Sequence, residues 1–385
     1  GQGAPGAASE RRWPFRVEFT GSGSEYFRIW LINALMTLVT LGAYHPRAQV
    51  RRYQYFRSNT WVVFGNGERH ALDFEVDPGK SFRVIGFWMV IVVASLVLYS
   101  IAPPLLGLVA LVVTPWLRLK SLRYRIAGTT FRGLRFRFSG DLRGQLSAWT
   151  PMLVLAGVGL TLMLLASQST SFRAAGPLIL SPLVLAGLVM WPWIQWRLIR
   201  WRQQHLAYGA LEADRFTTPV GRLYAVTLKA GLLGLLAAGA ISVALSLGPS
   251  IFSAAGGPSP LASASPVIAL GAILLMILVP VLIGVYFNTA LYNLAWGGTS
   301  GATVRLRSRL GYRQVAGQVV KSAVLTALTL GLYRPFAEIA AARLRLEAID
   351  GVLLENPEAI VARAQAGTGA MGDLAAGLLD VGDLL

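Results

Sequence analysis

Long apolar runs alternate with short basic ones along this chain. No Asp, Glu, Lys or Arg occurs in 84–117, 144–172, 174–196 or 230–304. A helix needs about 20 apolar residues to cross a hydrocarbon core of about 30 Å. The pattern therefore predicts spanning helices at 82–101, 103–119, 150–168, 175–197, 222–247 and 266–289. They group as three hairpins, whose connections around 100–104, 167–176 and 248–266 carry one charge between them, Arg173. The other connections are crowded with Arg and Lys. Short basic loops stay in the cytoplasm, so the hairpin tips are expected on the opposite side.

Two apolar segments, 29–44 and 322–333, are shorter and have basic residues on both flanks. Twelve helical residues cover about 18 Å, which does not span the core. Each segment is expected to enter and leave on the cytoplasmic face or to lie embedded at shallow depth; the alternative is eight full spans. The segments are near copies, sharing Thr-Leu-Gly-x-Tyr-x-Pro at Thr40–Pro46 and Thr329–Pro335. Gly and Pro stop a helix and turn the backbone, and Tyr suits a membrane interface.

After each basic segment comes a Gly-punctuated stretch, at 61–76, 129–138 and 205–216. Leu134, Phe136 and Phe138 alternate with Gly133, Arg135 and Arg137, a period of two that predicts a strand. The expected fold is an all-α polytopic membrane bundle of about six spans and two short re-entrant or embedded helices, with a small cytoplasmic β layer. Residues 1–13 are expected as a disordered tail rather than a signal peptide, 14–346 as one membrane domain with internal repeats, and 347–385 as an acidic, weakly ordered tail.

Composition supports the membrane reading. Charged residues make up 14% of the 385, against about 25% in soluble domains. The chain has no Cys, which excludes disulfides and thiolate chemistry, and its histidines, His45, His70 and His205, are scattered. No zinc-protease, phosphate-loop or nucleophile-elbow motif occurs, so nothing supports an enzyme, and no cofactor or metal is expected. The balance of 35 Lys and Arg against 18 Asp and Glu is concentrated next to the apolar runs. Arg118, Lys120, Arg123, Arg125, Arg197 and Arg200 are therefore expected at anionic lipid headgroups rather than on nucleic acid. No Asp or Glu falls in a predicted span, which disfavours ion-coupled transport.

The segments FTGSGSEYFRIWLIN and TLGAYHPRAQVRRYQYFRSNT, with the later VYFNTALYNLAW and TLGLYRPFAEIAAARL, resemble the YjgN family of bacterial inner-membrane proteins. The resemblance runs from Phe19 to about Leu346. Arg47 stands where that family usually has Trp, and Ala340 and Ala341 stand where the second copy would be basic. The resemblance implies a location in the bacterial cytoplasmic membrane, with no catalytic residues to carry over.

Two functions in different classes fit. One is a channel or a lipid or small-molecule permease, its cavity lined by Asn33, Thr37, Thr40, Thr326 and Thr329, with Gly42, Tyr44, Pro46, Gly331, Tyr333 and Pro335 shaping the paired turns. The other is a non-catalytic scaffold that binds a membrane protein partner through its basic layer.

Overall fold

The computed structural model describes residues 12–75, 94–97, 99–100, 103–168, 170–208, 211–212, 215–254 and 266–363. Strand β1 (Trp13–Phe19) leads into helices α1 (Gly23–Val39) and α2 (His45–Ser58), and the chain returns through β2 (Thr60–Phe64) and β3 (Arg69–Phe74). Helix α3 (Pro103–Ala127) is followed by β4 (Thr129–Phe131) and β5 (Leu134–Phe138). Next come α4 (Leu142–Gln168), α5 (Thr170–Gln204), β6 (Leu206–Tyr208), β7 (Leu211–Glu212) and β8 (Arg215–Phe216). Then follow α6 (Val220–Ala254), α7 (Pro266–Gly297), β9 (Thr299–Ser300), β10 (Val304–Ser308), α8 (Tyr312–Leu328), α9 (Arg334–Glu347) and β11 (Ile349–Leu353).

The strands form one eleven-stranded sheet in the order β7-β6-β5-β4-β3-β2-β1-β11-β10-β9-β8, and every pairing is antiparallel. Its two ends, β7 and β8, are almost adjacent in sequence. Glu212 and Arg215 are three residues apart, so their Cα atoms lie within about 11 Å, and the sheet must curl round to meet itself. Following the antiparallel pairings around the sheet gives β7 and β8 the same direction. β7 pairs with β6 and β8 pairs with β9, so the two short strands close the curl from either side.

This topology sorts the connections. Tight turns, such as Arg132-Gly133 between β4 and β5, lie on one rim of the sheet, and every helical connection leaves from the other. Arg132 and Gly133 both have positive φ, at 50° and 78°, as a two-residue hairpin turn matched to strand twist requires. At the helical rim, descending helices pass into strands through one device. Thr60 donates its hydroxyl to the Phe56 carbonyl, Thr129 to Arg125 and Thr299 to Ala295, at 2.6, 2.9 and 2.7 Å. A constant offset of 289 residues maps Gly23, His45 and Thr60 onto Tyr312, Arg334 and Ile349, the starts of α1, α2 and β2 onto those of α8, α9 and β11.

The sheet register gives two unlike faces. Phe15, Phe64, His70, Phe131, Phe136 and Tyr208 share one, linked by successive ring contacts. Arg16, Arg69, Arg135, Arg137, Arg305 and Arg307 share the other, all exposed. A buried cluster of Phe19, Tyr26, Tyr55 and Ile339 joins β1 to the two short hairpins.

The fold corrects the expectation of an all-α bundle with a small β layer. Strands of two to seven residues give little periodicity singly, and their partners are distant in sequence, so the sheet's size is hidden from a linear reading. The expected six to eight spans are corrected too. Among the described residues four helices are long and apolar enough to cross a membrane, over Leu142–Leu165, Leu180–Gln204, Val220–Val243 and Ile273–Gly297. The predicted helix at 82–101 lies outside the described residues except at 94–97 and 99–100. Helices α5 and α6, of 35 residues each, are about 52 Å long. They exceed the apolar core by several turns, and the end of α5 carries its arginines toward the sheet. Within the segment expected as a C-terminal tail, β11 is held between β1 and β10; residues 364–385 lie outside the described residues.

Candidate functional site

The paired Thr-Leu-Gly-x-Tyr-x-Pro motifs form two turns of the same geometry. Leu41 and Gly42 have φ of 49° and 93°, and Leu330 and Gly331 have 49° and 94°. In each, the glycine N–H donates to a carbonyl five residues back, Thr37 or Thr326, at 2.7 Å. The Thr40 hydroxyl donates to the Met36 carbonyl at 2.7 Å and accepts from the Tyr44 N–H at 2.9 Å. Thr329 repeats this with Leu325 and Tyr333 at 2.6 and 2.9 Å. Pro46 and Pro335 are buried in the first turn of α2 and α9. Each motif therefore reverses the chain, and each helical hairpin starts and ends on the same rim of the sheet.

The two hairpins stand side by side at their base. Phe27 on α1 meets Phe336 on α9 with ring centroids 5.7 Å apart. The buried Tyr26 hydroxyl donates to Glu338 Oε2 at 2.9 Å. Glu338 also faces Arg52 and Arg334, each at 3.3 Å. Burial, and then the adjacent Glu338 carboxylate, raise the Tyr26 phenol well above its ordinary value. Burial likewise raises Tyr55, which donates to the Ser22 carbonyl and to Glu25.

The hairpin tips expose apolar side chains. Leu41 and Leu330 are each 95% exposed, and Leu38, Val39 and Leu328 are also open. Thr37, Thr40 and Thr329 give their hydroxyl hydrogens to carbonyls of their own helices. Asn33 is buried between α1 and α2, where its Nδ2 reaches the Ala48 carbonyl at 3.5 Å and its Oδ1 has no partner. Thr326 is half-buried. A carbon added at Gly42 or Gly331 would meet nothing within 4 Å, so these glycines serve the turn and not a close approach between the motifs.

The basic residues expected at headgroups sit against aromatic rings and helix ends. Arg118 lies over Trp149 at 5.4 Å, Lys120 over Trp116 at 5.8 Å, Arg197 over Trp193 at 4.8 Å and Arg200 over Trp196 at 5.1 Å. Arg123 donates to the Gly140 carbonyl at 2.8 Å, and Arg125 to the Ser121 carbonyl at 3.2 Å. Lys229 places its ammonium over the Tyr286 ring at 5.5 Å.

A cavity of about 470 Å³ opens where α3, α4 and α5 approach the sheet. Its walls carry Arg118, Arg125 and Arg202, the polar Ser121, Gln145, Trp149, Gln195 and Trp201, and the apolar Leu117, Leu122, Leu198 and Ile199. Gln145, Trp149, Trp201 and Arg202 were not singled out by the sequence, because each looks like an ordinary residue at a helix end. Only the approach of three helices brings them together.

The family described as bacterial protein of unknown function (DUF898) matches residues 14–378. The inner membrane protein YjgN of Escherichia coli K12 is 29% identical over 169 residues, 42% of this chain and 41% of the relative. The protein of that name from Escherichia coli O157:H7 is 32% identical over 164 residues, 40% of each chain. That from Salmonella typhimurium LT2 is 31% identical over 141 residues, 36% of this chain and 34% of its own. The chain thus spans about two fifths or less of the length of the curated relatives it matches. No solved structure matches.

Proposed function

We propose that this chain, which belongs to the DUF898 family of bacterial proteins of unknown function, is a multi-pass inner-membrane protein that moves lipid between leaflets without chemical turnover. Its relatives are named inner membrane proteins, and four of its helices are apolar and long enough to cross. In this reading the sheet lies in the cytoplasm beneath the bilayer. The two short hairpins dip into the near leaflet and return.

The twin exposed tips, each led by a leucine 95% open in a left-handed turn, carry this reading. Exposed leucines at the end of a rigid hairpin gain by contact with acyl chains, and half-depth insertions disturb lipid order locally. Solute conduction fits less well, since the threonine hydroxyls are spent on helix carbonyls. The test is a reconstituted vesicle assay with fluorescent phospholipid in both leaflets and an impermeant quencher outside. Wild-type protein should expose the inner-leaflet pool to quenching. The Leu41→Asp, Leu330→Asp double variant, if equally well folded, should protect it; equal quenching by both proteins defeats the reading.

One observation favours a second reading, a scaffold for an acidic protein partner. The arginine face of the sheet is exposed and gathers Arg16, Arg69, Arg135, Arg137, Arg305 and Arg307 from four strands. A scaffold would tolerate aspartates at the hairpin tips and fail on neutralising Arg305 and Arg307.

A further inference from the structure

We propose that the cavity between α3, α4 and α5 is a binding site for one phosphate-bearing anion, the headgroup of an anionic glycerophospholipid. The inference rests on the lipid reading only for the source of the phosphate; the anion chemistry stands on the cavity itself.

Charge is the first observation. Arg118, Arg125 and Arg202 share the wall, and none of the three forms an ion pair with a carboxylate among the described residues. Arg202 and Arg57 each have Arg125 as a repelling neighbour of like charge. Arg118, Arg125 and Arg202 are all exposed on the open wall and keep their charge, so the wall favours an anion over a neutral or cationic group. Asp141, the nearby acid in sequence, is not part of the wall; it caps α4 by accepting from the Gly144 N–H at 2.9 Å.

Unmet hydrogen bonding is the second. Gln145 and Trp149 are 4% and 7% exposed, yet Gln145 Oε1 and Trp149 Nε1 have no partner, and neither does Trp201 Nε1. Buried polar atoms without partners are costly and uncommon, and they mark places where a ligand or water belongs. Trp201 Nε1 faces Gly144, outside the wall, which leaves the Trp149 indole N–H with three guanidinium groups to suit phosphate oxygens. The Gln145 oxygen needs a donor, which the hydroxyl or ammonium of a glycerophospholipid headgroup supplies.

Position is the third. Gln145 and Trp149 start one candidate span and Gln195 to Arg202 end the next, so the site sits at the headgroup level of those helices. Leu117, Leu122, Leu198 and Ile199 give the cavity an apolar side for the first acyl carbons. A free phosphate would satisfy the arginines but leave this side uncovered.

The full-length chain is purified, delipidated, and given phosphatidylglycerol, phosphatidylcholine or inorganic phosphate, with retained adducts counted by native mass spectrometry and stability followed by melting. One phosphatidylglycerol should be retained in preference to phosphatidylcholine. Arg125→Gln with Arg202→Gln should weaken retention by about tenfold or more. Trp149→Phe, which keeps the ring and removes the N–H, should weaken it without lowering the melting temperature of the lipid-free protein. Arg222→Gln, on α6 outside the cavity, should bind as wild type. If inorganic phosphate raises the melting temperature and displaces the lipid, the anion site stands and the source is free phosphate. Equal retention of both lipids with no response to phosphate, or unchanged retention in both cavity variants, overturns the proposal. Retention without interleaflet lipid movement removes the permease reading and leaves this site.

Discussion

Tyr26 on α1 donates its phenolic hydrogen to Glu338 on α9, 2.9 Å away and 312 positions on in sequence. This contact ties the two halves of the internal repeat together. Tyr26 is 2% exposed, so removing its hydroxyl takes one donor from Glu338, which keeps Arg52 and Arg334, and leaves a small void beside it. Tyr26→Phe should cost about 1–2 kcal/mol, read as a lowered melting temperature in detergent. Combined with Glu338→Gln, it should lose less than the sum of the single changes, because the two residues share one interaction. Strict additivity would show that the hairpins do not depend on this contact.

Alkaline stability follows from the same burial. Tyr208 on β6 donates to the Phe131 carbonyl at 2.9 Å, and burial pushes its phenol up to about 12, against the opposing pull of Arg132. The folded protein therefore keeps this proton at a pH where the unfolded chain has released it. The contribution is complete below the ordinary tyrosine value of 10.0 and is lost as pH rises toward about 12. Tyr26, raised by burial and Glu338, acts with the same sign. Melting temperatures measured across this window should fall, and Tyr208→Phe should flatten the fall; an identical slope in the variant would separate the tyrosine from the effect.

Topology gives a labelling prediction. Asn66, in the turn between β2 and β3, and Ala302, between β9 and β10, lie on the rim opposite the helical connections and are exposed. The chain has no Cys, so a single introduced thiol is read without background. Asn66→Cys and Ala302→Cys should both react with an impermeant maleimide only after the inner membrane is permeabilised. Labelling of one but not the other in intact spheroplasts would break the single-rim topology, and labelling of both would invert the orientation.

How much of this was legible depends on distance along the chain. The twin turns could be read because their determinants are local: a glycine where φ is positive, a proline four residues later, a threonine hydroxyl bonding four residues back and four ahead. The period-two stretch at Leu134 to Phe138 gave its strand for the same reason. The sheet was underestimated because β1 pairs with β11, more than 300 residues away, and because Trp13 and Ile349 fall in segments that look like tails. At the candidate cavity, Arg118 and Arg125 showed themselves as juxtamembrane charges. Gln145, Trp149 and Arg202 did not, since their role exists only where three helices converge. Residues of both motifs were expected to line or shape one cavity. Their turns instead expose Leu41 and Leu330, while the close contact between the hairpins lies lower, at Phe27, Tyr26, Phe336 and Glu338.

Space and backbone angle make opposite demands at the glycines, and this permits a test by sign. At Gly42 and Gly331 an added carbon would touch nothing within 4 Å, yet φ is 93° and 94°. The penalty for a side chain there comes from the backbone alone. Gly42→Ala and Gly331→Ala should each destabilise by about 1–2 kcal/mol, and β-branched valine at either position should do worse. At Gly157, inside α4, an added carbon also meets nothing within 4 Å, but φ lies outside the positive range. Gly157→Ala removes freedom from the unfolded chain and improves helix propensity, so it should stabilise by up to about 1 kcal/mol. The three alanine variants thus add the same methyl group to equally open sites, and only the turn predicts that two lower the melting temperature while one raises it. If Gly42→Ala and Gly331→Ala melt with or above the wild type, the left-handed turns are not what these glycines provide.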